Sequence, residues 1–256
     1  MCLIAFALDP DRHYRLVMVA NRDEFHHRPT RAMHWWTDPP ILAGRDEKSG
    51  GTWLAITPQG QVAAVTNFRS PKPETAQRSR GELPLRLLEA SSMNETLQQI
   101  QKEQAQYGQF NLLGYDGSVI HSLGSESPLP PRRLEHGVHG LSNHLLNTPW
   151  PKLQHGCDRL QETLDAGPTD TANLHRTLLG HFGDTREAEP HRLPDTGVGE
   201  QLERMLSPVF IKGENYGTRA TTVITLSRAG EVTVTERCYA AQGVERGEQQ
   251  FSWQQH

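Results

Sequence analysis

The second residue of the chain is a cysteine, and removal of Met1 would leave Cys2 with a thiol and a free α-amine on one Cα. An α-amine titrates near pH ~7.7–8.0 and a thiol near ~8.5, so at neutral pH part of the amine is free to take the thiol's proton. That pairing is the chemistry of an N-terminal nucleophile, which attacks a carbonyl carbon and passes through a covalent acyl intermediate. The apolar run 3–8, a turn at Asp9-Pro10-Asp11 and a second apolar run 15–20 return the chain to the cysteine and deliver Asn21-Arg22-Asp23-Glu24. An amide, a guanidinium and two carboxylates thus arrive beside the thiol. Strand geometry turns Asn21 and Asp23 to one face and Arg22 and Glu24 to the other. Spacing alone leaves open which pair meets Cys2.

Three further polar residues sit where strands end or begin: Asn67 in Thr66-Asn67-Phe68, Asn143 in Gly140-Leu141-Ser142-Asn143, and Arg219 in Tyr216-Gly217-Thr218-Arg219. Asparagine favours turns on its own account. At a strand end its side-chain amide is also the donor that an oxyanion hole needs. An arginine beside a thiolate lowers the thiol's pKa. The plain alternative for Cys2 is a buried core cysteine at a strand start, which is common.

The elements that position these residues read as strands, then helices, then strands. In the first seventy or so residues the runs 3–8, 15–20, 53–56 and 61–66 are antiparallel strands joined by turns, with a long loop from His26 to Asp46 packed by Trp35 and Trp36. Residues 81–90 carry leucines at helical spacing, and Ser92-Met93-Asn94-Glu95 is a capping box that opens a helix to about residue 104. A hairpin of 110–115 and 119–123 follows, then a short strand over 138–142 ending at Asn143. Helices are expected over 151–164, 171–182 and, more weakly, 198–206. Strands 221–226 and 232–237 pair across Arg228-Ala229-Gly230, and the polar stretch beyond Ala241 reads as a loose tail. Tight hairpins without strand–helix alternation predict antiparallel sheets covered by helices, an α+β fold. Because the strands are apolar throughout, both faces are expected to be buried, in a sheet-on-sheet core with outer helices. The expected organisation is a single domain over 1–240 followed by the tail 241–256.

Composition excludes several classes. A net charge of −4 gives no global field for nucleic acid or an anionic membrane. No apolar run approaches the ~18 residues of a membrane span, and the first apolar run has no basic leader or small-residue cleavage site, so no signal peptide is expected. Cys2, Cys157 and Cys238 lie too far apart for a disulfide framework or a zinc site, which implies a reducing, cytoplasmic location and no metal. Gly50-Gly51 lacks the Gly-Lys-Ser/Thr of a phosphate loop and reads as a turn. Trp35, Trp36 and Trp53 are candidates for the wall of an apolar pocket, although aromatic residues fill cores more often than they line sites.

The ordered set Met1-Cys2, Ala20-Asn21-Arg22-Asp23-Glu24, Gly50-Gly51-Thr52-Trp53-Leu54, Thr66-Asn67-Phe68-Arg69, His139-Gly140-Leu141-Ser142-Asn143 and Tyr216-Gly217-Thr218-Arg219 resembles the NRDE family, also called the Transport and Golgi Organization protein 2 family. The resemblance spans about residues 1–240. It implies a four-layer αββα sandwich of the N-terminal nucleophile hydrolase type, most similar to the cysteine branch that contains bile salt hydrolases and penicillin V acylase. By that remoter resemblance Cys2 maps to the nucleophile, Asn67 and Asn143 to oxyanion positions, and Arg219 to an arginine near the nucleophile. The Asn21–Glu24 run takes the place of an Arg-x-x-Asp, with Asn21 and Glu24 falling where arginine and aspartate are expected. The implied activity is hydrolysis of a linear amide with no cofactor. The family also implies an alternative, a carrier of haem or of a lipid or acyl-CoA ligand. Thirteen histidines supply possible axial ligands, His26-His27 foremost, although two solvent-exposed loop histidines are the plainer reading, and there is no Cys-x-x-Cys-His attachment site.

Overall fold

The computed structural model describes residues 2–71 and 76–255. Met1, whose removal the nucleophile reading requires, lies outside the described residues.

Among the described residues thirteen strands and five α-helices succeed one another along the chain. They are β1 (Cys2–Leu8), β2 (Tyr14–Phe25), β3 (Thr30–Trp35), β4 (Leu42–Asp46), β5 (Leu54–Ile56), β6 (Val62–Asn67), α1 (Leu83–Leu88), α2 (Met93–Glu103), β7 (Phe110–Tyr115), β8 (Ile120–Gly124), β9 (Arg132–Arg133), β10 (Gly137–Leu141), α3 (Pro151–Asp165), α4 (Thr171–His181), α5 (Glu200–Met205), β11 (Tyr216–Ser227), β12 (Glu231–Tyr239) and β13 (Glu245–Gln254). One antiparallel sheet has the order β10-β1-β2-β11-β12-β13 and the other β3-β4-β5-β6-β7-β8-β9.

The continuous apolar character of the strands has the predicted cause. In β1, Ile4, Phe6 and Leu8 point into the core between the sheets, while Leu3, Ala5 and Ala7 pack under Leu153, Leu160, Leu174 and Phe182 of the α3–α4 layer. On the other sheet Ala43, Ala55, Ala63 and Leu112 meet Leu83, Leu87, Leu97 and Ile100 of α1 and α2. The layers therefore run helix, sheet, sheet, helix, a four-layer αββα sandwich.

Local chemistry fixes the elements that carry the site. The β1–β2 hairpin closes through Asp9, whose φ is 47°, and through Asp11 Oδ1, which accepts the amides of His13 and Tyr14 at 2.6 and 2.9 Å. In α2 the Ser92 hydroxyl accepts the Glu95 amide at 3.4 Å, as the capping box predicts. Helix α3 starts with Pro151 at its first turn, where a missing amide costs nothing. It lies close on β10 because Gly140 carries no side chain: a Cβ there would stand 2.6 Å from Cys157 Sγ.

Two expectations are corrected. The segment from His26 to Asp46 is not a long loop: within it β3 and β4 form a hairpin at the edge of the second sheet. Its tryptophans part company. Trp36 is buried and donates its indole N–H to Ala43 O at 3.0 Å, whereas Trp35 meets Trp253 edge-on at 5.0 Å. The stretch beyond Ala241 is not loose either. Residues Glu245–Gln254 form β13, paired with β12 and presenting charged and amide side chains outward, which is how an edge strand stays polar without losing its ladder. Phe251 and Trp253 pack against the inter-sheet core, and the Trp253 indole N–H donates to Pro58 O at 2.8 Å. Replacing Trp253 with alanine is expected to cost about 2 kcal/mol, read as a lower urea midpoint at unchanged slope; an unchanged midpoint would mean that β13 adds no stability.

Candidate active site

A cavity of about 920 Å³ is lined by residues from both sheets, Cys2 and Arg22 from one and Val65 and Asn67 from the other among them. Register builds its floor. Cys2 lies directly across from Arg22 on β2, and Arg22 in turn across from Ala220 on β11. Because Met18 and Ala20 face the inter-sheet core, the same alternation carries Arg22 and Glu24 to that side, which is also the side of Cys2. Arg22 is almost fully buried, its guanidinium lies 4.1 Å above the Trp53 ring, and its Nη1 makes no hydrogen bond among the described residues. Gly44 makes room for that ring, since a Cβ there would come within 2.2 Å of it.

Asn21 faces the opposite side and is wholly occupied. Its Nδ2 donates to Phe182 O at 2.9 Å and to Val209 O at 2.8 Å, and its Oδ1 accepts from Thr221 Oγ1 at 2.6 Å. It ties the first sheet to the helical layer. Asp23 is buried with Oδ1 accepting from Thr218 Oγ1 at 2.7 Å, and its backbone amide is directed at the Cys2 sulfur. Glu24 lines the cavity, with Oε1 accepting the Phe25 amide at 2.8 Å.

Asn67 and Asn143 meet. Asn143 is fully buried, and its Nδ2 donates to Asn67 O and Oδ1, each at 3.1 Å. Asn67 lines the cavity together with Cys2; with its Oδ1 held by Asn143, Nδ2 is the end left to face a ligand. The neighbouring Ser142 hydroxyl donates to Cys2 O at 3.2 Å, and Thr66 Oγ1 donates to Ser142 O at 2.7 Å. These bonds stitch β1, β6 and the end of β10 into one unit. Arg219 does not join them. It occupies a bulge where β11 slips one residue against β2, and its Nη1 donates to Phe25 O at 3.2 Å and Arg28 O at 2.5 Å. Arg219 secures the turn after β2, and the arginine paired with the thiol in register is Arg22.

Four further residues missed by the sequence reading belong here: Arg69 and Tyr216 line the cavity, and Lys152 and Glu203 are buried behind it. Arg69 forms a buried ion pair with Glu203 of α5, stacks 4.6 Å over Trp150, and donates its amide to Asn143 O at 2.7 Å. Lys152, in the first turn of α3, is buried with no hydrogen bond to Nζ among the described residues. A lysine at the positive end of a helix, just after Trp150-Pro151, is locally unfavourable, and that oddity was the available signal. Tyr216, on the cavity wall, packs edge-on against Phe25 at 5.1 Å.

Burial dominates the electrostatics. It pushes the Cys2 thiol above its ordinary value, raises the Asp23 carboxyl against the opposing effect of Lys152, and raises Tyr216 well above the usual phenol range, so that its hydroxyl stays protonated. Burial, with Arg69 adding to it, draws Lys152 down from 10.5 to about 8. Of the three tryptophans proposed as a pocket wall, Trp53 alone lines this cavity, and neither His26 nor His27 does.

Two outcomes follow from these contacts. Asn21→Ala strands buried carbonyls of Phe182 and Val209 and the Thr221 hydroxyl, and a loss of about 2–4 kcal/mol is expected in equilibrium unfolding; a loss under about 0.5 kcal/mol would contradict the cross-layer role. Lys152 is a base whose folded pKa lies below its unfolded one, so between about pH 8 and its ordinary 10.5 the native chain binds fewer protons than the unfolded chain. Raising the pH through that window favours folding. The melting temperature of the wild type minus that of Lys152→Met is therefore expected to climb from pH 8 to pH 10.5; a flat difference would contradict a buried amine.

The family model for Transport and Golgi organisation 2 matches residues 1–241. The Transport and Golgi organization protein 2 homolog of Homo sapiens is 37% identical over 259 residues, covering 93% of this chain and 92% of that protein. The Bos taurus homolog is 36% identical with the same coverage, and Transport and Golgi organization protein 2 of Drosophila melanogaster is 27% identical over 88% of this chain and 87% of its own length. Among solved structures, the Caenorhabditis elegans ortholog of N-acylethanolamine-hydrolyzing acid amidase aligns with a TM-score of 0.45 at 10% identity, covering 87% of this chain and 92% of that one. The four-layer architecture rests on the sheets and helices of this chain itself.

Proposed function

The chain belongs to the Transport and Golgi organisation 2 family, and we propose that this member is an amidohydrolase that cleaves a linear C–N bond with Cys2 as nucleophile. One observation carries the reading: the Cys2 thiol and Asn67 line a single cavity, with Asn143 holding Asn67 in place. Once Met1 is removed, the α-amine of Cys2 takes the thiol's proton and the sulfur attacks the amide carbon. The carbonyl oxygen gathers the negative charge, and Asn67 Nδ2 donates to it. Asn143 acts through Asn67 by fixing its Oδ1. Collapse breaks the C–N bond, and the amine leaves with the proton that came from sulfur. Water then attacks the thioester, releasing a carboxylic acid and restoring the thiol. Because burial keeps the resting thiol protonated, an adjacent base is a requirement of the mechanism. Arg22 and the Asp23 amide support the sulfur as its charge develops, while Asn21 and Arg219 hold the scaffold.

A carrier on the same scaffold is the second reading, and the cavity mouth favours it. Phe25, Leu202 and Met205 are among the most exposed large apolar side chains of the described residues, at 49%, 38% and 41%, and all three line this cavity. Such a rim suits a lipid-like ligand held without turnover. Haem fits less well, because no histidine among the described residues lines the cavity, where Cys2 and Met205 are the sulfur donors.

Intact mass of protein from its native host is expected to lack Met1; retention of Met1 rules out the α-amine as base. Across a panel of acyl amides and acyl thioesters, Cys2→Ala is expected to abolish turnover, and Asn67→Ala to lower kcat by about 10²–10³. Turnover unchanged in Cys2→Ala refutes the enzyme. For the carrier, haem titration is expected to give a saturable Soret change that disappears in Cys2→Ala; a flat titration rejects haem as cargo.

A further inference from the structure

The three residues after β10 are gripped by the second sheet, although β10 itself belongs to the first. The Ser142 carbonyl accepts from Thr66 Oγ1 at 2.7 Å, the Asn143 carbonyl from the Arg69 amide at 2.7 Å, and the His144 carbonyl from Asn111 Nδ2 at 2.9 Å. Asn111, on β7, also donates to Thr66 Oγ1 at 3.3 Å, which leaves the Thr66 proton for Ser142. Gly124 of β8 makes room for this amide, since a Cβ there would stand 3.0 Å from Asn111 Oδ1. None of Thr66, Asn111, Ser142 and Asn143 is more than 2% exposed, so each polar atom is costly to leave unpaired. One hydroxyl ties this block to the nucleophile: Ser142 Oγ donates to Cys2 O at 3.2 Å and to Asn143 Oδ1 at 3.3 Å. Asn143 Nδ2 faces Asn67 O, which can only accept, so Oδ1 must face away from it. Ser142 is the one donor to that oxygen among the described residues.

We propose that Ser142 is a positioning residue of the candidate site: its hydroxyl holds the Asn143 amide, and through it the Asn67 donor, in a fixed place relative to Cys2. The inference rests on Cys2 being the nucleophile and Asn67 the oxyanion donor, and it adds the part that keeps the two in register. Removing the hydroxyl leaves Asn143 Oδ1 without a donor in dry surroundings and unties the Cys2 carbonyl at the same stroke. Asn143 then keeps Asn67 as its sole side-chain partner, and the Asn67 amide gains freedom where the substrate's carbonyl oxygen gathers charge. A donor displaced by about 1 Å loses much of its effect on a developing oxyanion. No covalent bond to Ser142 forms or breaks, and its proton stays on oxygen throughout.

The test reads the held amide directly. Hydrogen exchange of the Asn143 Nδ2 protons is followed by NMR in the wild type, Ser142→Ala and Ser142→Thr, with the backbone amide of Leu112 in β7 as the reference for general loss of stability. In Ser142→Ala the Asn143 side chain is expected to exchange faster by about tenfold or more relative to that reference. Ser142→Thr, which keeps the hydroxyl, is expected to exchange as the wild type does. An unchanged ratio in Ser142→Ala, or equal rises in the alanine and threonine variants, overturns the proposal. Ser142→Cys replaces Ser142→Ala if circular dichroism shows the latter unfolded, with the same two criteria. On any acyl amide or acyl thioester that Cys2 cleaves, Ser142→Ala is expected to lower kcat by about tenfold at unchanged KM, and Ser142→Thr to restore it. Turnover lost in Cys2→Ala but with kcat unchanged in Ser142→Ala removes the serine and leaves the nucleophile standing. Turnover indifferent to Cys2→Ala removes the nucleophile, and the exchange ratio still decides whether Ser142 holds Asn143.

Discussion

The antiparallel register of β1 against β2 is the constraint on which the site depends. It puts Cys2 opposite Arg22, and a slip of one residue would present Asn21 in its place and turn every apolar side chain of β2 to the wrong layer. The slip is prevented from both sides at once. Ile4 and Met18 are needed in the inter-sheet core, and Leu3 and Val19 are needed under the helices. The Asp9–Asp11 turn sets the count of residues between the strands. A strand buried on one face resists slippage; one buried on both faces is held harder, and the chemistry at its end inherits that precision.

Two kinds of polar residue then divide the end of the sheet. Asn21, Thr218 and Thr221 are neutral, saturated with hydrogen bonds and structural. Arg22, Asp23, Arg69, Lys152 and Glu203 are charged and buried. In such surroundings a charge interacts far more strongly than it would in water, and an unbalanced one is costly. The same burial that raises the Cys2 thiol therefore strengthens every cation that can compensate for it.

Much of the scaffold was legible because hydrophobic period and turn chemistry agree over most of the chain. The Ser92 cap, the Pro151 start and the Gly230 turn are local signals, and the structure uses them locally. What escaped were elements whose identity comes from partners distant in sequence. Strand β13 is polar and is held as a strand by the ladder it shares with β12 and by Phe251 and Trp253. The β3–β4 hairpin was hidden by prolines and paired tryptophans. At the site, Asn21–Glu24, Asn67 and Asn143 stood out as polar residues at strand ends, but the division of labour among them is a matter of faces. Asn21 belongs to one side and Arg22 to the other. Lys152 and Glu203 lie on helices far along the chain, and only packing buries them. Arg219 was expected near the sulfur from its strand-start position and the family resemblance; the bulge at that residue sends its side chain to the carbonyls of the turn after β2 instead.

The ion pair between Arg69 and Glu203 has a mechanical side. Helix α5 supplies Leu202 and Met205 to the cavity mouth, and the carboxylate of the same short helix is latched to the sheet end. Swinging that wall outward would strand a guanidinium and a carboxylate in dry surroundings, at a cost of several kcal/mol. The wall on this side is consequently tethered to the sheet end through its own charged pair.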